Sequence, residues 1–124
     1  MKTMRYSLAV LALCSVAYAA QPSYAMLTCA KATRKMSFAS DALFNDMLGG
    51  IGGAGMADTA RYPQAKSRSV TKIEVIVPYD NVRTGIERWT ITHDGDQAIA
   101  YILYFVPDGH GGTNFGVKLD SRKT

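Results

Sequence analysis

The chain has few of the side chains that most often carry chemistry. Among its 124 residues are two cysteines, two histidines and one tryptophan. His93 and His110 flank a predicted strand of about ten residues, which separates them by roughly 30 Å. This distance excludes a zinc ion held by both histidines of one chain. No serine lies in the sequence context of an activated nucleophile, so the sequence predicts neither a metal site nor a catalytic site.

Two glycine-containing stretches have part of a ligand-binding pattern and lack the rest. The segment 50–55 has the glycine spacing of a dinucleotide-binding fingerprint, but that motif requires a strand before it and a helix after it. Here a predicted helix precedes it. Asp94-Gly95-Asp96 has the first residues of a calcium loop without the later glycine and glutamate. We therefore predict a flexible connection, a tight hairpin and no cofactor.

Dense clusters of positive charge are absent from the mature chain. The formal net charge of +4 includes Lys2 and Arg5, which lie in a predicted signal peptide. Without them, 12 basic residues face 10 acidic ones and the net charge falls to +2. No stripe of lysine and arginine of the kind that binds phosphate backbones remains. We expect no nucleic-acid partner.

The first residues have the pattern of a secretory signal peptide. Lys2 and Arg5 precede an uncharged stretch of about ten residues, 8–17, and the small-residue site Ala17-Tyr18-Ala19 follows it. A membrane-spanning helix needs roughly 20 apolar residues, so this stretch is too short. We predict a signal peptide over residues 1–19, export to the periplasm or the medium, and no stable membrane span in the mature chain.

The cleavage position has alternatives. Cleavage after Ala19 or Ala20 is favoured, and a later cut after Ala25 is the second interpretation. Cys14 lies where a lipoprotein would be acylated, but the bulky Leu13 before it disfavours that processing. In each case without a lipid, Cys14 is removed with the signal peptide.

Cys29 is then the one cysteine left in an oxidising compartment, so it has no partner for an internal disulfide. We interpret it as a partly buried thiol near the N-terminus. The alternative is an intermolecular disulfide through Cys29. Catalytic use would need a neighbouring base, and neither histidine is near it in the sequence.

The mature chain is long enough for one domain with one core. Residues 20–34 show no clear period and are predicted to be a leader, within which residues 26–32 fit either a helix or an edge strand. Residues 35–124 form the predicted domain.

Within this domain, apolar residues first recur at helical spacing and predict an amphipathic helix over residues 35–48. Gly49-Gly50 is expected to end it. A glycine-rich connection, mobile at least in its first half, is predicted over residues 49–69. The predicted core positions of the helix are Phe38, Ala42, Leu43 and Met47.

After residue 69 the period changes to two, which is typical of strands. Short turns connect the later segments and predict hairpins. The strands are expected at residues 69–77, 85–93, 97–106 and 113–119. The predicted fold is α+β, with one N-terminal amphipathic helix packed on a four-stranded antiparallel meander sheet.

Alternation along the strands assigns side chains to two faces. In the first strand Ile73, Val75 and Val77 share one face. The face predicted to pack on the helix consists of Trp89, Ile91, Ile99, Tyr101, Leu103, Phe105, Phe115 and Val117. The opposite face combines an apolar centre with a polar, basic rim, a composition that suits protein contacts. Its protein-binding candidates are Arg88, Thr90, Ile102, Tyr104, Asn114 and Lys118. Alternatively, residues 20–34 or 56–68 fold over this face.

Export, small size and missing catalytic motifs together favour a non-enzymatic binding protein. We expect a periplasmic or secreted partner of another protein, such as an inhibitor or immunity-type protein that acts on an envelope or secreted enzyme. A structural or envelope-assembly role is the alternative, and a small secreted enzyme is the more distant one. This expectation rests on class-level inference rather than on a specific motif.

Overall fold

The protein's computed structural model describes residues 25–52, 57–80 and 82–121. Within these ranges, five strands form one sheet in the order β1-β2-β3-β4-β5. β1 runs parallel to β2, and the other neighbours are antiparallel. The strands are β1 (Leu27–Cys29), β2 (Arg68–Val77), β3 (Gly85–His93), β4 (Gln97–Pro107) and β5 (Thr113–Leu119). The fold is therefore α+β.

The meander of four antiparallel strands matches the prediction closely, but the sheet has one strand more. The prediction of a four-stranded, purely antiparallel sheet is wrong, because β1 pairs in parallel with residues 68–70 at the edge of β2. A strand of three residues is too short to display an alternating pattern. Residues 31–34 follow it as a short helix, α1 (Lys31–Arg34).

The main helix, α2, spans Asp41–Gly52, so the predicted boundaries 35–48 are wrong at both ends. Ser40 acts as the N-cap, since its Oγ accepts a hydrogen bond of 3.3 Å from the backbone N–H of Leu43. The preceding residues are held outside the helix by Glu87 of β3, which accepts the N–H of Phe38 at 3.0 Å. The helix begins only after this contact.

At its C-terminus, α2 continues through Gly49-Gly50, where we expected it to stop. Burial explains the continuation: Ile51, in the last turn, is 0% exposed. A Cβ atom on Gly50 would lie 3.3 Å from the ring of Phe115, so glycine permits the close approach of α2 to β5. These tertiary contacts outweigh the cost of glycine in a helix, which is about 1 kcal/mol per residue relative to alanine.

The described part of the predicted connection 49–69 is largely folded. It contains the end of α2 and a third helix, α3 (Ala57–Arg61), which leads into β2. Asp58 of α3 is 0% exposed. The described residues of this segment therefore include two helical stretches that the prediction of a connection did not contain, and residues 53–56 lie outside the described part.

The core lies between α2 and one face of the sheet. Phe44 and Met47 of α2 are buried, and the ring of Phe44 lies 4.9 Å from that of Trp89. Phe38 and Leu43, predicted as core positions, are only partly buried against this cluster. The predicted helix-facing side of the sheet is confirmed: Trp89, Ile91, Tyr101, Leu103 and Phe105 are buried, and Ile99, Phe115 and Val117 pack against them.

β2 departs from simple alternation. Its register against β3 shifts between Val70 and Lys72 and again between Val75 and Val77. Ile73 and Val75 pair with Trp89 and Glu87 and keep the predicted common face. Val77, beyond the second shift, pairs with Ile86 on the opposite face, so its predicted place beside them is wrong. An extra residue at a bulge changes which side chains face the core.

No helix in the described residues is long and apolar enough to cross a membrane.

Candidate functional site

We call the side of the sheet opposite α2 the outer face. Strand register arranges its residues in rows that run across the strands. One row joins Val77, Ile86, Tyr104 and Gly116, which are paired in that order. Val77, Ile86 and Tyr104 are each partly exposed. This apolar row crosses the outer face near the end of β2 and the start of β3. Ile86 was not among the predicted candidates.

The next row contains three of the predicted binding residues. Arg88 is paired with Ile102, and Ile102 is paired with Lys118. Ile102 is partly exposed and Lys118 is exposed. The structure therefore brings Ile102, Tyr104 and Lys118 to one surface, as alternation predicted.

Arg88 differs from the free rim cation that the sequence suggested. Its Nε donates to Asp120 Oδ2 at 2.6 Å and its Nη1 donates to Glu74 Oε2 at 3.0 Å. These hydrogen bonds raise the pKa of Arg88 further above its usual value. The bond to Asp120 joins β3 to the residue after β5 and crosses β4, where Ala100 is 2% exposed. The Arg88 side chain therefore joins neighbouring strands on the outer face, and its two hydrogen bonds leave it little freedom to contact a partner.

The remaining candidates lie on the outer face near its edges. Thr90 is partly buried next to Ala100, and Asn114 is exposed opposite Val106. Two segments were alternatives for covering this face. In the described residues, α3 packs on the helix side and β1 pairs with the edge of β2, so neither lies over the apolar row. Residues 20–24 and 56 lie outside the described part.

A buried polar cluster, which the sequence did not predict, lies on the helix side of the sheet. It consists of Asp58, Arg68, His93 and Tyr101, each at most 2% exposed. One carboxylate oxygen of Asp58 lies 2.7 Å from Arg68 Nε and 2.9 Å from His93 Nε2. The other accepts the hydroxyl of Tyr101 at 2.5 Å. One carboxylate thus serves three buried side chains.

Arg68 also connects the cluster to three backbone carbonyls. Its Nη2 donates to Ile51 O at 3.2 Å, and its Nη1 donates to Gly52 O at 3.4 Å and to Ala25 O at 3.3 Å. The first two carbonyls end α2, where a cation is favourable because helix C-terminal carbonyls lack internal partners. Arg68 therefore caps α2 and joins it to α3 through Asp58.

Electrostatics in the cluster favour an ionised Asp58. Burial opposes ionisation, but hydrogen bonds from Tyr101 and His93 and the charge of Arg68 outweigh it and lower the pKa of Asp58. Burial and the Asp58 carboxylate raise the pKa of Tyr101. Acid–base side chains of this kind are found in catalytic sites. Here all four side chains are buried, and their contacts join α2 and α3 to the sheet.

The two histidines are far from equivalent. The ring of His93 has contacts at both nitrogens, since Nδ1 lies 3.2 Å from Gln97 O and Nε2 faces Asp58. His110 lies exposed in the β4–β5 turn. Alternation along β3 does contain a signal for these buried polar groups. Glu87 and His93 have the same parity as Trp89 on β3 and therefore point to the core.

Glu87 forms a second buried polar contact. Its carboxylate accepts the hydroxyl of Ser37 at 3.0 Å and the indole N–H of Trp89 at 2.9 Å, in addition to the N–H of Phe38.

Cys29, the candidate for an intermolecular disulfide, lies on β1 and is half-buried. Burial raises the pKa of its thiol, although the nearby Arg34 lowers it. A raised pKa reduces the thiolate fraction that disulfide exchange requires.

Comparisons of the chain with protein-family models, curated proteins and solved structures gave no match.

Proposed function

We propose that the chain is an exported binding protein without catalytic activity of its own, and that its outer face contacts another protein. One observation supports this most: three alternate residues on one side of β4 are buried, whereas the residues between them stay partly open. Tyr101, Leu103 and Phe105 are at most 1% exposed, whereas Ile102 and Tyr104 between them remain accessible.

The chemistry of the outer face suits a protein partner. Tyr104 lies in the apolar row beside Ile86, and Lys118 and Asn114 lie at its border. Protein interfaces commonly have an aromatic or aliphatic centre and a polar rim. Tyrosine adds a hydroxyl at the end of an apolar ring, so it gains contact area and a hydrogen bond together. An enzyme of the envelope or the medium, blocked by this surface, is the partner class we favour.

The partner is tested by affinity recovery of the tagged chain from envelope extracts of the organism that encodes it. We expect one stoichiometric protein to co-purify with the parent chain. Tyr104→Ala should weaken this binding by about 1 to 3 kcal/mol, as truncation of a central interface tyrosine does. Binding is then measured with the purified pair by calorimetry.

Met36→Ala is the matched control, because Met36 is 51% exposed and lies outside the outer face. It should leave the affinity unchanged. Equal loss with both variants, or no loss with Tyr104→Ala, would contradict the assignment of the outer face.

Export is tested separately by intact-mass analysis of the chain expressed in a bacterial host. The basic residues Lys2 and Arg5 and the small-residue site at Ala17–Ala19 lead us to expect a product that begins at Ala20 or Gln21. A product that retains Met1 would argue against export. A diacylated product that begins at Cys14 would instead support the lipoprotein alternative.

A further inference from the structure

A cleft of about 520 Å³ lies on the helix side of the molecule, away from the outer face. It is bounded by the segment before α2, the first turns of α2, the β2–β3 loop and the β4–β5 turn. Its volume falls within the range of about 300 to 1,000 Å³ that is common for small-ligand sites. The residues that line it are Phe38, Ser40, Ala42, Leu43, Asp46, Tyr79, Gly111, Gly112 and Thr113.

The lining combines one negative charge with an aromatic wall. Asp46 is the one charged side chain among the described lining residues, and it is exposed. The rings of Phe38 and Tyr79 are stacked, with centroids 6.0 Å apart and planes inclined by 12°. The hydroxyl of Tyr79 is hydrogen-bonded to that of Thr113. A carboxylate and aromatic rings that line one cleft are groups that attract a cation.

The β4–β5 turn that closes the cleft is held by its own hydrogen bonds. Asp108 Oδ1 accepts the backbone N–H of His110 at 2.7 Å and that of Gly112 at 3.0 Å. A Cβ atom on Gly112 would lie 2.4 Å from Asp108 Oδ2, so a larger residue there would displace the carboxylate that holds the turn. The turn therefore presents a defined wall to a ligand.

A second pairing of an aromatic ring with an aspartate occurs on α2, and there an arginine of the chain itself binds to both groups. The guanidinium carbon of Arg34 lies 4.3 Å from the centroid of Phe44. Its Nη2 donates to Asp41 Oδ1 at 2.7 Å. An aromatic ring and an aspartate of α2 thus hold a guanidinium group in this fold. In the cleft, Asp46 and the rings of Phe38 and Tyr79 provide the same two elements without a cation from the described residues.

We infer that this cleft binds an arginine side chain presented by the partner protein, an inference that rests on the proposed function. Arginine fits better than lysine because its planar guanidinium stacks on aromatic rings and donates two parallel hydrogen bonds to a carboxylate. The hydroxyls of Ser40 and Thr113 supply further acceptors at the border of the cleft. The partner would therefore meet this chain through two separate surfaces.

The test titrates the purified chain with N-acetyl-arginine amide and follows amide shifts by NMR. We expect saturable shifts at Asp46, Tyr79 and Gly112, and much weaker binding of the uncharged isostere N-acetyl-citrulline amide. Asp46→Asn should weaken arginine binding about tenfold, because it removes a hydrogen bond between charged groups. Asp96→Asn, which neutralises an exposed carboxylate in the β3–β4 turn, is the control and should have no effect.

Equal binding of the citrulline probe, or full binding by Asp46→Asn, would overturn the inference. The result is separable from the test of the outer face. Absence of arginine binding while Tyr104→Ala still loses its partner overturns the cleft alone. Specific arginine binding in a chain that recovers no protein partner supports the cleft as a guanidinium site and overturns the proposed function.

Discussion

We expect Asp58→Ala to lower the free energy of unfolding by about 3 to 5 kcal/mol, the range typical when one partner of a buried ion pair is removed. The substitution leaves the Arg68 guanidinium buried without its counter-ion. It also removes the acceptor of the Tyr101 hydroxyl and the partner of His93 Nε2. Urea unfolding at neutral pH, followed by the fluorescence of Trp89, measures the loss.

Two comparisons make this result specific. Asp96→Asn removes an exposed carboxylate and should change stability by less than about 0.5 kcal/mol. The Asp58→Ala/Arg68→Ala double variant should lose less than the sum of the two single variants, because each single change leaves an uncompensated group. A loss below about 1 kcal/mol for Asp58→Ala would mean that the cluster does not stabilise the fold.

The same cluster predicts acid sensitivity. In the folded chain, hydrogen bonds and the charge of Arg68 hold the pKa of Asp58 below its usual value, so the unfolded chain binds the proton more readily. The stabilisation is fully present above the unfolded pKa and is lost as the pH falls through the folded pKa. As the pH falls from neutral through this range, Asp58→Asn should therefore lose less stability than the parent chain, which urea unfolding at a series of pH values measures.

The strands were predictable because alternation is a local property. β3 is the clearest case: every second residue from Gly85 to His93 is buried, and those between are partly exposed. The predicted strand boundaries agree with the structure to within one residue. The bulges in β2 were not predictable, since a single inserted residue changes the face without a change of composition.

The helices were harder to predict because distant residues decide where they begin and end. The start of α2 depends on Glu87, which lies about 50 residues away in sequence and accepts the hydroxyl of Ser37. Its end depends on Arg68, which donates to the carbonyls of Ile51 and Gly52. The low helix propensity of Gly49 and Gly50 has a small effect on stability compared with such contacts.

The outer face was predicted only in part, because some of its contacts also depend on residues that are distant in the sequence. Alternation alone placed Ile102 and Tyr104 opposite Leu103. The paired state of Arg88 depends on Asp120, which reaches it only because three strands align in register. Asp58 and Arg68 lie in a stretch whose composition is typical of a loop, so no pattern marked them as buried. In a stretch of such mixed composition, the burial of a polar residue is evident only from its tertiary contacts.

A second large effect is expected within β4, where neighbouring residues point to opposite faces. Leu103 is 0% exposed, and Leu103→Ala should cost about 2 to 5 kcal/mol of stability through lost contacts and a residual cavity. Ile102 is partly exposed on the outer face. Ile102→Ala removes the same number of carbon atoms and should cost about 1 kcal/mol. Both variants are compared by urea unfolding of the chain without a partner.

This pair of substitutions decides whether the outer face is open in the free protein. If it is open, Ile102→Ala leaves stability nearly intact and weakens partner binding, since Ile102 lies between Arg88 and Lys118 in the row beside Tyr104. An equally large loss of stability for both variants would mean that the outer face is covered in the free chain. The partner would then have to bind elsewhere, and the cleft at Asp46, on the other side of the sheet, would be the next surface to test.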